Sequence, residues 1–493
     1  MTEIYSAASC VIVWLGDGHN SHLVNGLLDE LEWIRLVNDK SARGERIFKK
    51  YLDQQTSPQW LALLDLLNRP WFERVWVIQE LAFAQRVDAI YGKKFIDWDI
   101  LIHIMQSFEN EGGKDAYWLL QSTDDFLESR PLPSGPKHAL VMAVLREELG
   151  NGETQTLADL LIHCQYFKAT RPEDKVFALL GLAFPASLGP LKVDYRKTIQ
   201  EIYIQTAQHL LAEEDVIQLF HVAGIGNFRG VPNLPSWVPD WSTSPQSHTL
   251  SFLPNVSYRA AGHTHATICA SADRLTTLVS GINVDYVDSM GSILEVQKSE
   301  ENRPGGLSIQ QRYLLWHDEA LALSKELPKG SYRRSMSLSE AFWRAIIGDK
   351  TSTQRPAPPV YAEYYRAWKE SLRSDDSRWL LVSKGKDSDQ SSDNEDLLEH
   401  MLKVTRFNLA LRFCSGERRF CITKGGFMGL VPKYTQPGDE ICLFSGGQTP
   451  FVLRGDHTTQ PETHQLVGEA YIHGMMDSEM WIPDAETKVF TLL

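Results

Sequence analysis

The chain has 493 residues, 43% hydrophobic and 23% charged, which gives ample material for a core and suggests about three domains. A net charge of −14, from 49 Lys+Arg against 63 Asp+Glu, with no Lys/Arg run longer than a pair, argues against a general nucleic-acid binder, because phosphate affinity needs clustered cations. The six cysteines (Cys10, Cys164, Cys269, Cys414, Cys421 and Cys442) are scattered with no C-x-x-C spacing, so neither a disulfide framework nor a zinc ligand set is legible, and no metal is expected.

The opening MTEIYSAASCVIVWLGD lacks a basic leader, and its apolar run Val11 to Leu15 is too short for a signal peptide or a span. That run reads as a buried strand turned by Gly16-Asp17-Gly18. No other segment reaches transmembrane length, and a reducing compartment, the cytoplasm, is expected. Trp60 to Leu67 is apolar on nearly every side, as a buried helix would be. Asn68-Arg69-Pro70 breaks it. A second helix is predicted from Trp71 to Ala84, with Trp76, Ile78, Leu81 and Ala82 on its inner stripe. Arg86 to Gly92 reads as a strand, and Asp97 as the N-cap of a helix from Trp98.

Residues 107–137 read as a long polar loop. Helices follow over Ala139 to Leu149 and Thr156 to Tyr166. In ATRPEDKVFALLGLA, Thr170 and Glu173 have capping-box spacing and Gly181 suits a C-terminal cap. Thr198 and Glu201 repeat the capping-box signal. LPSWVPDW, Leu234 to Trp241, is proline-broken and reads as an extended segment pinned by Trp237 and Trp241.

SYRAAG, HATICA and LTTLVSGINVDYVDSM, within residues 257–295, read as strands, and 309–380 as helical. Residues 383–396, SKGKDSDQSSDNED, read as a mobile acidic linker. Beyond it, Lys424-Gly425-Gly426 signals a hairpin, Gln436 to Asp439 a turn before EICLF, and Gly446-Gly447 a turn into PFVLR. Short strands at that spacing suggest a small antiparallel barrel. The expected organisation is α+β in four parts: 1–106, a helical 107–250, a mixed 251–400, and a β-rich 401–493.

Among local chemical signals, GIGNFRG (Gly224 to Gly230) has the wrong glycine spacing for a dinucleotide loop and reads as a flexible turn. His263 and His265 form an H-x-H pair without a third ligand. RPWFERVWVIQE, residues 69–80, crowds Trp71, Phe72 and Trp76 beside Arg69, Arg74 and Glu80. Arg74 and Glu80 are too far apart for i,i+4 pairing, so a buried Glu80 needs another partner. It reads either as part of a structural ion pair or as an acid to test for catalysis. Asp174-Lys175 reads as a dipole and capping feature. Trp237 and Trp241 around Asp240 read as a tether or a ligand shelf.

Several of these stretches resemble the heterokaryon-incompatibility (HET) proteins of filamentous fungi. RPWFERVWVIQELAFA is similar to the closing motif of the HET domain; RPEDKVFALLGL, LPSWVPDW and GDEICLFSGGQTPFVLR with LVGEAYIHGMM resemble the extension many such proteins carry. The resemblance implies that Arg69, Pro70, Trp71, Phe72, Arg74, Trp76, Gln79, Glu80, Asp174, Lys175, Trp237, Asp240 and Trp241 are motif residues, chiefly structural. It further implies a partial TIR-like α/β region and a role in non-self recognition and regulated cell death. The family's Ser-Tyr-x-Trp-Gly and Ile-Asp-x-x-Cys-Ile-Asn-Gln type motifs are not in the sequence, so the expectation is of an N-terminally truncated member. The leading reading is a non-enzymatic signalling or interaction protein with no cofactor, whose partner is another protein. The rivals are a TIR-like hydrolase consuming NAD through Glu80 and a non-functional truncated paralogue.

Overall fold

The computed structural model describes residues 2–37, 57–109, 135–185, 188–212, 216–226, 229–243, 247–251, 257–270, 275–296, 307–327, 332, 336–351, 353–373, 391–456, 458, 462–482 and 486–493. The architecture is α+β. Two compact units are distinguishable: Met1–Gly189 with Asp375–Thr405, and Pro190–Ser374 with Arg406–Leu493.

The first unit opens with α1 (Thr2–Ala7), β1 (Val11–Trp14) and α2 (Ser21–Val37), then α3 (Pro58–Leu67). Ser57 caps α3 through its side chain, and Trp60, Ala62, Leu63, Leu66 and Leu67 are buried. The single helix expected from Trp71 to Ala84 is instead two pieces. A 3₁₀ turn spans Pro70–Glu73, Arg74 is extended, and α4 runs Val77–Ala82. The cause is a parallel bridge between Arg74 and Lys168, in which Val75 N–H donates to the Lys168 carbonyl at 2.9 Å. β2 (Val87–Tyr91) pairs in parallel with β1, and β3 (Lys94–Asp97) antiparallel with β2. Asp97 Oδ1 accepts from the backbone N–H groups of Asp99 and Ile100, capping α5 (Trp98–Glu109) as expected.

Beyond these lie α6 (Gly135–Gly150), α7 (Leu157–His163) and α8 (Asp174–Phe177); most of the loop expected over 107–137 falls outside the described residues. The Thr170–Glu173 capping box does not form. A turn from Arg171 places the helix start at Asp174, behind a Glu173 that makes no side-chain cap. Nor does Gly181 end the helix, which Ala178 caps.

In the second unit, α9 (Ile199–Leu211) does carry the capping box of Thr198 and Glu201. α10 (Leu219–Val222) and a short β4 (Ile268–Ala270) lead to β5 (Thr277–Ile293). SYRAAG is not a strand: its N–H groups at Arg259, Ala260 and Ala261 go to the carbonyls of Met476, Gln448 and Gly447 rather than to a ladder. Helices α11 (Ile309–Ser324), α12 (Leu338–Ile346) and α13 (Tyr361–Ser371) follow, the first packed on β5. α14 (Ser391–Ser415) begins inside the expected acidic linker: residues 391–396 are helical, a serine-and-acid start that suits a helix N-terminus, while 383–390 lie outside the described residues.

The remaining strands are β6 (Arg418–Thr423), β7 (Met428–Pro432), β8 (Glu440–Phe444), β9 (Phe451–Asp456), β10 (Thr463–Glu469), β11 (Tyr471–Ile472) and β12 (Lys488–Leu492). The Lys424-Gly425-Gly426 turn joins β6 to β7 as predicted. Five strands close a ring in the order β5-β12-β10-β9-β8, with β8 returning to β5. The ring is antiparallel except for β10 beside β12, which is parallel. Closure removes the exposed edges of a small sheet. The long β5 also continues into β6, β7 and β11, so the barrel draws a strand from well before residue 401. Among the described residues, no helix is long and apolar enough to cross a membrane.

Candidate functional site

In the first unit, the two polar motifs interlock. The 3₁₀ turn presents Phe72, fully buried, to stack on Trp98 at 6.2 Å between ring centroids, with Trp71 edge-on to both. Trp76 is half-buried, not the core side chain expected, because the bridge at Arg74 displaces it to the N-cap of α4. Its Nε1 donates to Asp174 Oδ2 at 3.0 Å. Gln79 is buried and its Nε2 donates to the Ala178 carbonyl at 2.5 Å. Glu73 pairs with Lys168 at 2.8 Å.

Lys175 is 5% exposed. Its ammonium donates to the Gln165 carbonyl at 2.7 Å and to the Phe167 carbonyl, closing off backbone acceptors just beyond the end of α7. This is a heavier duty than the dipole role expected for it. Asp174 is buried beside it. Burial also pushes the neighbouring Cys164 thiol up to about 12.

Glu80 is half-buried, and the partner it required is Tyr5 on α1, whose hydroxyl hydrogen-bonds its carboxylate, with Arg74 adding favourable charge. Burial nevertheless raises the carboxyl above its ordinary range, the Arg74 charge and the Tyr5 bond pulling the other way. Arg69 stands apart from this group. Its Nη2 donates to Asp65 Oδ2 at 2.8 Å, to the Tyr91 hydroxyl at 3.0 Å and to the Asp17 carbonyl at 3.2 Å. Tyr91 donates in turn to Asp65 at 2.6 Å. Arg69 thus fixes the glycine turn after β1. Pro70 is exposed at the head of the 3₁₀ turn.

In the second unit, LPSWVPDW is irregular as predicted, and two side chains organise it. Arg229 donates to the carbonyls of Leu234, Pro235 and Val238 at 3.2, 2.9 and 3.1 Å. Asp240 accepts from the N–H groups of Gly230, Val231 and Ser242. Trp237 is fully buried and donates to the Leu275 carbonyl at 3.0 Å, and Trp241 is edge-on to Tyr203 at 5.1 Å. With Trp237 sealed in, the pair has no ligand shelf to offer. GIGNFRG is not a free turn either, since Ile225 and Gly226 donate to the carbonyls of Leu466 and Val467 on β10.

Sequence reasoning missed a buried polar cluster at the barrel wall. Glu469, 5% exposed, accepts from Arg418 Nη2 at 3.0 Å, from Leu250 N–H at 2.6 Å, and faces His221 Nδ1 at 3.0 Å. Glu469, Arg418 and His221 line a cleft with Thr249, Gly226 and Pro432 that has room for about one water, 20 Å³. Lys350, 1% exposed, reaches the Leu250 carbonyl and lies 5.0 Å from the rings of Tyr258 and Phe413; burial lowers its pKa. No local spacing signals such a cluster, because His221 and Glu469 are 248 residues apart.

The chain matches the family model "Heterokaryon incompatibility protein (HET)" over residues 1–80 and the "Het-6 beta-barrel domain" model over residues 278–493, which takes in β5 through β12. It is 24% identical to heterokaryon incompatibility protein 6, OR allele, of Neurospora crassa, over 97% of this chain and 78% of that protein. No solved structure matches it. With its HET segment ending at Glu80, where the aromatic motif closes, and its barrel closed by β5, the chain belongs to the heterokaryon-incompatibility family.

Proposed function

We propose that this protein acts in fungal non-self recognition as a non-enzymatic signalling or interaction protein, coupled to regulated cell death, with another protein of that pathway as its partner and the cytoplasm as its compartment. Family membership and the name of its Neurospora crassa relative support the recognition role. The observation that carries the non-enzymatic reading is the interlock: Trp76 Nε1 is bonded to Asp174, and the Gln79 amide nitrogen and the Lys175 ammonium are bonded to backbone carbonyls. Groups so engaged organise a scaffold and have little capacity left for a substrate.

The rival reading, a TIR-like hydrolase of NAD, rests on Glu80, whose half-buried carboxyl with a raised pKa has the character of a general acid or base. One experiment separates the two. Wild type and Glu80→Gln are expressed in a fungal host that scores incompatibility-linked death, and the purified proteins are incubated with NAD. Death triggered equally by both, without NAD turnover, is the expected result. NAD turnover by wild type that is lost in a folded Glu80→Gln variant would establish the hydrolase instead.

A further inference from the structure

The barrel brings together three metal-ligating groups that the sequence keeps apart. Glu440 on β8, Glu462 immediately before β10 and His464 on β10 place one ligand atom each within 4.8 Å of one another. His464 Nε2 lies 3.3 Å from Glu440 Oε1 and 4.0 Å from Glu462 Oε1. His464 is 3% exposed, yet neither of its ring nitrogens makes a hydrogen bond. A buried imidazole left without hydrogen bonds costs free energy that a fold does not spend idly. Here Nε2 is turned towards two carboxylates.

The surroundings hold Glu440 in place for such a role. Its other oxygen, Oε2, accepts from Asn283 Nδ2 on β5 and lies 3.6 Å from Lys488 Nζ on β12. That leaves Oε1 for His464. Contacts of this kind fix the orientation of a carboxylate that binds a metal. The His464 ring also packs nearly perpendicular to Phe490, with 5.3 Å between ring centroids. Four strands of the closed ring, β5, β8, β10 and β12, contribute to the group.

We infer that Glu440, Glu462 and His464 form a site for a divalent transition-metal ion of the zinc class, bound at the barrel by one imidazole and two carboxylates. The donor set suits zinc: imidazole nitrogen and carboxylate oxygen both bind it at roughly 2.0–2.2 Å, and a fourth position is left for water. Magnesium and calcium prefer all-oxygen shells and are disfavoured by the imidazole. The site would bind the ion between β8 and β10, across β9, and so stabilise the barrel.

The test uses the full chain, stripped of metal and titrated calorimetrically with Zn²⁺, with Mg²⁺ as comparator and melting followed in parallel. About one equivalent of Zn²⁺ should bind and raise the melting temperature, since a ligand selective for the native state stabilises it. Glu462→Gln, at an exposed position, should weaken Zn²⁺ by ~10-fold or more and leave the melting temperature in chelator unchanged. His464→Gln should remove saturable binding. The H-x-H double variant His263→Asn/His265→Asn should bind as wild type does. Absence of saturable Zn²⁺ binding, Mg²⁺ bound as tightly as Zn²⁺, unchanged affinity in Glu462→Gln, or loss of binding in the H-x-H variant would each overturn the inference.

Discussion

Trp76 Nε1 donates to Asp174 Oδ2 at 3.0 Å, tying the aromatic motif to RPEDKVF across 98 residues of chain. The indole is half-buried and the carboxylate buried, so the bond is charge-assisted and partly shielded. Trp76→Phe keeps most of the apolar contact and removes this donor; it should cost about 1–2 kcal/mol. Full truncation, Trp76→Ala, should cost less than the ~3–5 kcal/mol expected of a core tryptophan. Urea titration of both variants, with Asp174→Asn closing a double-mutant cycle, measures the coupling directly. Additive losses would mean that the two side chains act independently.

Lys175 makes a sharper prediction. Its ammonium is the donor for the carbonyls of Gln165 and Phe167 in a buried setting. Lys175→Met has a similar length and no donor, so it strands those acceptors. The expected loss is about 2–4 kcal/mol in chemical denaturation. A loss under ~0.5 kcal/mol would show that water reaches the carbonyls.

These contacts also mark where sequence reading reaches and where it stops. Thr198 with Glu201, Asp97 with the first turn of α5, and the Lys424-Gly425-Gly426 hairpin were legible because each bond spans four residues or fewer. The aromatic motif was visible as a packed segment, but its break at Arg74 was not, because the cause is a bridge to Lys168, 94 positions along. Glu469 carried no local signal, since Arg418, Leu250 and His221 reach it from three separate stretches. His464 and Glu440 fall in the same class. They lie on β8 and β10, on either side of β9, and only the pairing of those strands brings them together.

His473 should govern part of the acid limb of stability. It is buried, with Nδ1 2.7 Å from the Tyr471 hydroxyl, and burial, helped by the Arg344 charge, lowers its pKa from 6.5 to about 4. The unfolded chain therefore takes up a proton near pH 6.5 that the native state refuses until about pH 4. Stability is full above pH 6.5 and falls as pH drops through that window, by about 3 kcal/mol from this group. In His473→Gln, urea midpoints measured from pH 7 to pH 4 should decline less steeply than in wild type. Parallel profiles would locate the acid sensitivity elsewhere.

The glycines of GIGNFRG test whether that segment is a docked strap or a loose turn. Gly226 N–H donates to the Val467 carbonyl at 2.7 Å, and Gly224 N–H to the Ser236 carbonyl at 2.9 Å. A Cβ built at either glycine would stand 2.5 Å from the Val467 oxygen, which belongs to β10 and cannot swing away as a side chain would. Gly224 also has φ +109°, a conformation that an alanine adopts only under strain. Gly226→Ala then faces the clash alone, and Gly224→Ala the clash and the backbone penalty together. The first should destabilise by about 1–3 kcal/mol and the second by more. Both lesions fall on the barrel strand that carries Glu469. Slower hydrogen exchange at the Ile225 and Gly226 amides than in an open loop is the matching observation in wild type. A neutral Gly226→Ala would mean that the segment lifts off β10 at little cost, and the strap reading would fall with it.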